Sequence, residues 1–184
     1  MRRDFHEVLM DDVAAAAGVG KGTLYRYFQS KDDLFSALVL DGMARLRFEL
    51  EAAAERGANP IERLEHVVRA FLDHFWPRRY LLALLHRHEH KRRDAEMREW
   101  ARRRAAIGQV IEGVLAEGAA AGLVGEVPPH AAAEMMIGLM RGVDRSRQDV
   151  DTIDELVSRV LDVFVCGVGT ETGRQLRRRR RASA

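Results

Sequence analysis

A short run of polar and aromatic residues near the amino terminus has the side chains needed to hold and read duplex DNA. Arginine and lysine bind phosphate oxygens, arginine also reaches guanine edges, and tyrosine and threonine hydroxyls hydrogen-bond to phosphates. The candidate DNA-binding residues are Lys21, Gly22, Thr23, Tyr25, Arg26, Tyr27 and Lys31. Taken singly, such residues are more often packing aromatics or solvated charges, so the DNA interpretation depends on their spacing.

The flanking sequence predicts a helix-turn-helix that positions these side chains. A run of alanines before Gly18 leaves room for a second helix to cross closely, and Gly18 permits the left-handed backbone that ends the first helix. Leu24 and Phe28 are four residues apart and share one side of the second helix. We expect both to face inward with Val13 and Val19, which leaves the start and outer face of that helix for DNA.

The segment GVGKGTLYRYFQSKDDLF closely resembles the G-V-x-x-G-T-L-Y-x-x-F-x-x-K-x-x-L signature of TetR family transcriptional regulators. The resemblance implies an all-α fold. An N-terminal helix-turn-helix DNA-binding domain would occupy residues 1–39, and a C-terminal helical ligand-binding and dimerisation domain residues 40–168. It also implies that the helix from about Lys21 to Phe28 enters the major groove and that Lys31 clamps a phosphate.

The helix that normally precedes the helix-turn-helix in this family has almost no counterpart in the sequence. Only four residues stand before Phe5, near which that helix normally ends. Leu9 also replaces the usual capping Ser or Thr, whose loss costs about 1 kcal/mol. We therefore expect a truncated first helix, with Met1 an internal methionine of a longer protein. The alternative function is a dimeric interaction protein that does not bind DNA because this helix is missing.

Apolar residues at three- and four-residue steps predict helices throughout the body. Ser30 begins a capping sequence, SKDD, from which a long helix runs to the break at 57–60. A charged amphipathic helix follows at about 94–121, and the last two helices lie at roughly 130–147 and 152–168.

The resemblance implies homodimerisation through those last two helices, and their wide apolar faces agree with it. A two-fold dimer would place its recognition helices about 34 to 36 Å apart on a palindromic operator. The candidate interface residues are Met135, Leu139, Leu156, Val160 and Phe164.

Aromatic and methionine side chains in the body are candidates for an apolar ligand cavity between helices. They are Phe71, Phe75, Trp76, Tyr80, Trp100, Met136 and Met140. At helical spacing such residues usually mean plain core packing, and that interpretation stays open. In this fold class, a small apolar ligand would favour a conformation that releases DNA, as expected of a repressor.

Charge is distributed unevenly along the chain. The net charge is +2, but six of the 30 basic residues lie in the final arginine run, so the remainder has 24 basic against 28 acidic groups, or −4. We expect residues 169–184 to be a basic, disordered tail, with non-specific attraction to phosphate as the alternative.

A single cysteine, Cys166, and no apolar run of bilayer length predict a cytoplasmic protein.

The cluster of His86, His88 and His90 with Glu89 is the one metal-like group in the sequence. Its arginine-rich surroundings oppose cation capture, so we expect solvated side chains and no metal or cofactor.

The sequence carries no glycine-rich phosphate loop, nucleophile elbow or paired-carboxylate motif, which predicts a protein that is not an enzyme.

Overall fold

The computed structural model describes residues 7–78, 94–125, 127–146, 148 and 150–183. Its helices are α1 (Met10–Ala16), α2 (Lys21–Tyr27), α3 (Lys31–Ala54), α4 (Pro60–Phe75), α5 (Asp94–Ala120), α6 (Pro129–Ser146), α7 (Ile153–Val168) and α8 (Glu171–Ser183), with a 3₁₀ turn at Trp76–Arg78. Within these ranges, extended pairing is limited to an isolated antiparallel bridge between Val124 and Gly169. The predicted all-α fold is confirmed. No described helix is both long and apolar enough to cross a bilayer.

The chain forms two compact units, residues 1–42 and residues 43–184, and α3 is divided between them. The smaller unit contains the helix-turn-helix. Its interior is a small cluster of buried and half-buried apolar side chains: Met10, Val13, Ala14, Leu24, Phe28 and Leu34.

Helix α4 is the centre of the larger unit, where α5, α6, α7 and α8 all contact it. Its buried residues recur at helical spacing: Ile61, Leu64, Val67, Val68, Phe71, Leu72, His74 and Phe75. Burial of each large apolar side chain contributes about 1.5 to 3 kcal/mol. The buried His74 is satisfied by Glu49 on α3, whose Oε2 lies 2.8 Å from the histidine Nδ1.

Side-chain caps set where several helices begin. The Ser30 hydroxyl accepts a hydrogen bond from the Asp33 amide at 3.1 Å, which confirms the predicted cap of α3. Asn59 Oδ1 accepts from two amides in the first turn of α4, where Pro60 occupies a position that needs no amide donor. Thr152 forms a reciprocal capping box with Glu155 at the start of α7.

The carboxyl-terminal segment differs from the predicted disordered tail, because residues 171–183 form α8. Its start is attached to the turn after α5, where the Thr170 hydroxyl donates to the Gly122 carbonyl at 2.6 Å. Arginine and glutamine are also good helix formers.

The start of α8 packs very closely against the turn after α5, since a Cβ on Gly173 would lie 2.1 Å from the Leu123 carbonyl oxygen. At Gly118 nearby, a Cβ would lie 2.9 Å from Val124 Cγ2.

An ion pair joins α5 to α6. Arg104 donates two hydrogen bonds to the Glu134 carboxylate, at 2.7 and 2.5 Å, in the bidentate geometry that strengthens arginine–carboxylate pairs. The hydrogen bond and charge of Arg104 lower the pKa of Glu134 below its ordinary value of 4.5.

The pair predicts a pH-dependent contribution to stability. Because the folded-state pKa of Glu134 is lowered, its contribution is present above the unfolded-state pKa and is lost as pH falls through the folded value. Glu134→Gln should therefore lower the free energy of unfolding by about 1 kcal/mol or less at pH 7, since the carboxylate is partly exposed. Denaturant melts at pH 7 and pH 3 measure the difference between the two proteins, which should shrink at the lower pH.

Glu55→Gln is the matched control, because it makes the same change at an exposed carboxylate. A difference between wild type and Glu134→Gln that stays constant with pH would contradict the assignment.

Candidate nucleic-acid interface

The turn between α1 and α2 has the conformation that the sequence predicts. Gly18 has a φ of +67°, in the left-handed region that glycine adopts without strain. The Gly18 amide donates to the Ala15 carbonyl at 3.2 Å and the Val19 amide to the Ala14 carbonyl at 3.0 Å. These bonds satisfy the last carbonyls of α1 and redirect the chain into α2.

Leu24 fixes which side of α2 is buried. It is 7% exposed and packs with Met10 and Ala14 of α1, while Phe28 is half-buried against the same cluster. The prediction that Val19 also faces inward is wrong, because its side chain is 40% exposed. Val19 lies in the turn itself, where its amide is bonded to α1 and its side chain is left outside the cluster.

The opposite side of α2 is an open surface of aromatic and cationic groups. Tyr25 is 43% and Tyr27 67% exposed, and the Arg26 guanidinium lies 5.2 Å from the centre of the Tyr27 ring. Thr23 is half-buried beside them. At Gly22, a Cβ would find no atom within 4 Å, so the backbone of α2 can be approached closely there. The structure therefore brings these predicted residues together on one helix.

Lys21, at the start of α2, is held by a carboxylate that residue type and spacing do not predict. Its Nζ lies 2.7 Å from Asp11 Oδ2 on α1, and both side chains are exposed. The hydrogen bond and charge of Asp11 raise the pKa of Lys21 above its ordinary value of 10.5. The Lys21 ammonium is also 5.9 Å from the centre of the Tyr25 ring. A phosphate that binds Lys21 therefore has to compete with Asp11.

Lys31 also has an intramolecular partner that spacing alone does not reveal. Its Nζ donates to the Val8 carbonyl at 3.1 Å, which ties the first turn of α3 to the residues just before α1. Leu9, the residue at the cap of α1, makes no side-chain capping bond, as its type predicts. Lys31 thus helps to position α1 in addition to any contact with phosphate.

The predicted ligand residues lie mostly in the interior of the larger unit. Phe71, Phe75, Met136 and Met140 are each no more than 5% exposed, and the rings of Phe71 and Phe75 are 5.0 Å apart. Trp76 and Trp100 are half-buried. Tyr80 lies outside the described residues.

The candidate metal cluster, His86, His88, Glu89 and His90, also lies outside the described residues. Within the ranges that are described, no three His, Cys, Asp or Glu side chains are grouped as a metal site requires.

An apolar groove of about 590 Å³ runs between α6 and α7. Three of the predicted interface residues, Met135, Leu139 and Phe164, line it. Met135 is 57% exposed, and the neighbouring Val163, which is not among the predicted interface residues, is 60% exposed. The other two predicted residues, Leu156 and Val160, are each 1% exposed, because they pack in the core of their own chain.

Two family models match the chain. Residues 1–38 match the model of the bacterial regulatory proteins of the tetR family, and residues 57–145 match that of the tetracyclin repressor-like C-terminal domain. A curated relative, the HTH-type transcriptional activator FasR of Mycolicibacterium smegmatis, is 34% identical over 71 residues. The match covers 39% of this chain and 32% of FasR, so it spans about a third of the relative's length.

Solved structures share the fold at lower identity. A bacterial regulatory protein in the tetR family from Rhodococcus RHA1 has a TM-score of 0.77 at 19% identity, covering 90% of this chain and 88% of its own. FadR from Bacillus subtilis, solved in complex with stearoyl-CoA, has a TM-score of 0.74 at 20% identity, with 89% and 90% coverage. With both units matched by family models, the chain belongs to the TetR family of bacterial transcriptional regulators.

Proposed function

We propose that this regulator is a homodimeric repressor that binds a palindromic operator and leaves it when a small apolar ligand enters the body. The observation that carries the proposal is the open side of α2, where cationic, aromatic and hydroxyl groups lie opposite the buried Leu24. A helix with one side anchored and the other side rich in DNA-binding groups is suited to the major groove.

Each exposed group has a distinct role in this proposal. Arg26 reads a guanine edge or holds a phosphate, Tyr25 and Tyr27 bind phosphates or thymine methyl groups, and Thr23 supplies a hydroxyl donor. Gly22 lets the DNA backbone come close to α2. Lys21 and Lys31 hold phosphates. Residues 1–36 contain five basic and six acidic groups, so affinity depends on a few well-placed contacts.

Arg26→Ala should weaken binding to the operator by about 5- to 150-fold, which corresponds to the 1 to 3 kcal/mol of a good arginine–guanine contact. The operator is first selected from random duplexes with the wild-type protein, and affinities are then measured by fluorescence anisotropy. Arg26 is exposed, so the melting temperature should not change.

Arg56→Ala removes the same charge from an exposed position in the larger unit and serves as the control. If the wild-type protein selects no sequence, the repressor proposal is wrong and the alternative, an interaction protein that does not bind DNA, is favoured.

The effector site is proposed between α4 and α6, which are in contact. Phe71 and Phe75 on α4 and Met136 and Met140 on α6 supply apolar surface, and methionine side chains repack readily around a ligand. The fold neighbour FadR was solved with stearoyl-CoA, which makes fatty acyl thioesters the first class to test. A ligand that binds the DNA-free conformation more tightly would shift the protein off its operator.

Stearoyl-CoA at about 100 times its Kd should stabilise the protein by about 2.7 kcal/mol and weaken operator binding. Thermal melts and anisotropy titrations, each with and without the ligand, measure both effects. Coenzyme A without an acyl chain is the control, because it lacks the apolar part. Tighter operator binding with stearoyl-CoA would contradict release by the ligand.

The groove between α6 and α7 is the proposed dimer interface. Its exposed Met135 and Val163 present apolar surface to solvent, and a Cβ at Gly138, Gly142 or Gly167 would find no atom of the chain within 4 Å. This space allows a helix of a second copy to approach closely. A two-fold arrangement uses the same groove on both copies.

The double substitution Met135→Glu with Val163→Glu should convert the dimer to a monomer, because two carboxylates per chain would be buried in an apolar contact. Sedimentation velocity measures the mass, and operator affinity should fall with it. Phe48→Glu, at a 72% exposed position outside the groove, is the control and should stay dimeric. A wild-type protein that sediments as a monomer would overturn the proposed interface.

A further inference from the structure

Helix α8 is attached to the body at its amino-terminal end by several independent contacts. The Thr170 amide donates to the Leu123 carbonyl at 3.2 Å, and the Thr170 hydroxyl donates to the Gly122 carbonyl at 2.6 Å. Gly173 is buried against the Leu123 backbone. The arginine run therefore starts from a defined place on the larger unit and continues as a helix.

The charge of α8 is almost entirely positive. Arginine occupies positions 174 and 177–181, and no acidic residue follows Glu171 in the sequence. In the first turn, Glu171 Oε2 lies 3.4 Å from Arg174 Nε. Like charges three and four residues apart destabilise a helix, and the negative end of the helix dipole offsets only part of this repulsion. A polyanion bound to the last two turns would reduce this repulsion further.

The chemistry of the segment favours phosphate as that anion. An arginine guanidinium binds phosphate oxygens in a bidentate fork. An anionic membrane surface is a poor fit, because an interfacial helix needs an apolar face and the sequence after Gly173 offers only Leu176 and small residues.

The charge balance of the whole chain identifies the partner. Non-specific affinity for duplex DNA comes from cations that displace counterions from phosphates. Residues 1–36 have a net charge of −1, and the chain without the six terminal arginines has a net charge of −4. The positive charge that the helix-turn-helix segment lacks is therefore concentrated in α8.

We infer that the arginines at positions 177–181 form a second DNA-binding surface, which holds the phosphate backbone of duplex DNA regardless of its sequence. The surface consists of residues other than the proposed recognition residues of α2. It needs neither an operator nor a ligand, so it stands or falls independently of the proposed repressor function.

The test measures binding of the full chain to a random-sequence duplex between 50 and 200 mM salt. Replacement of all five arginines by glutamine keeps good helix formers and removes the charge. The slope of log K against log salt concentration is negative. Each lost phosphate contact should reduce its magnitude by about 0.9, giving a total reduction of up to about 4.5. Replacement of the five by lysine should retain most of the slope.

Two controls keep the outcomes distinct. Arg56→Ala, which removes one exposed arginine from the larger unit outside α8, should leave binding to the random duplex almost unchanged. Far-UV circular dichroism and the melting temperature show whether the glutamine variant is folded. An unchanged salt slope in a folded glutamine variant would overturn the inference, as would a wild-type chain that does not bind the random duplex at 50 mM salt. Failure to select an operator, with the slope difference intact, would overturn only the repressor proposal.

Discussion

The body of this protein depends on the burial of α4. Four helices pack on it, and residues such as Leu64, Val67 and Leu72 are completely excluded from solvent. An amphipathic helix of 16 residues is marginal by itself in water, so its stability comes from these contacts. The groove between α6 and α7 follows from the same constraint. Because both helices turn one apolar side inward to the common core, a second apolar strip on their outer sides is left in solvent.

The smaller unit, residues 1–42, is also held together by apolar burial, but its core is much smaller. Leu24 sets the rotation of α2 about its axis, because it is the buried residue of α2 and packs with Met10 and Ala14 of α1. The polar residues of α2 share one exposed surface, and this does not depend on contacts between them. They are exposed because Leu24 is buried, so the small cluster and the exposed side of α2 both follow from the same packing contact.

Local signals in the sequence were sufficient for the described helices up to residue 168, the left-handed glycine of the turn and the cap at Ser30. Contacts between residues distant in the chain have no such signal. Nothing in the residue types indicates that Asp11 pairs with Lys21 across the turn, or that Lys31 reaches the Val8 carbonyl. The family resemblance assigned Lys31 to phosphate alone, whereas its backbone contact gives it a structural role as well.

Helices α7 and α8 illustrate two further limits of sequence reasoning. On α7, Val160 and Val163 have the same side chain, yet one is buried in its own core and the other is exposed. Apolar type alone cannot separate an intrachain contact from an intermolecular one. In α8, composition indicated disorder because five consecutive arginines bury nothing, but the helix begins at contacts with residues 122 and 123, about fifty positions earlier in the chain.

The junction where α8 meets the turn after α5 also limits which amino-acid substitutions this protein can accept during evolution. At Gly118 and Gly173, a neighbouring atom already stands within 3 Å of the place that any side chain's first carbon would take. Even alanine needs a shift of the surroundings at Gly118, and at Gly173 the obstacle is backbone, which moves least readily. Val150, at 82% exposure, faces no such restriction. Neutral drift is therefore slow at this junction and fast on the open surface, although neither glycine touches DNA or ligand in any role proposed for it.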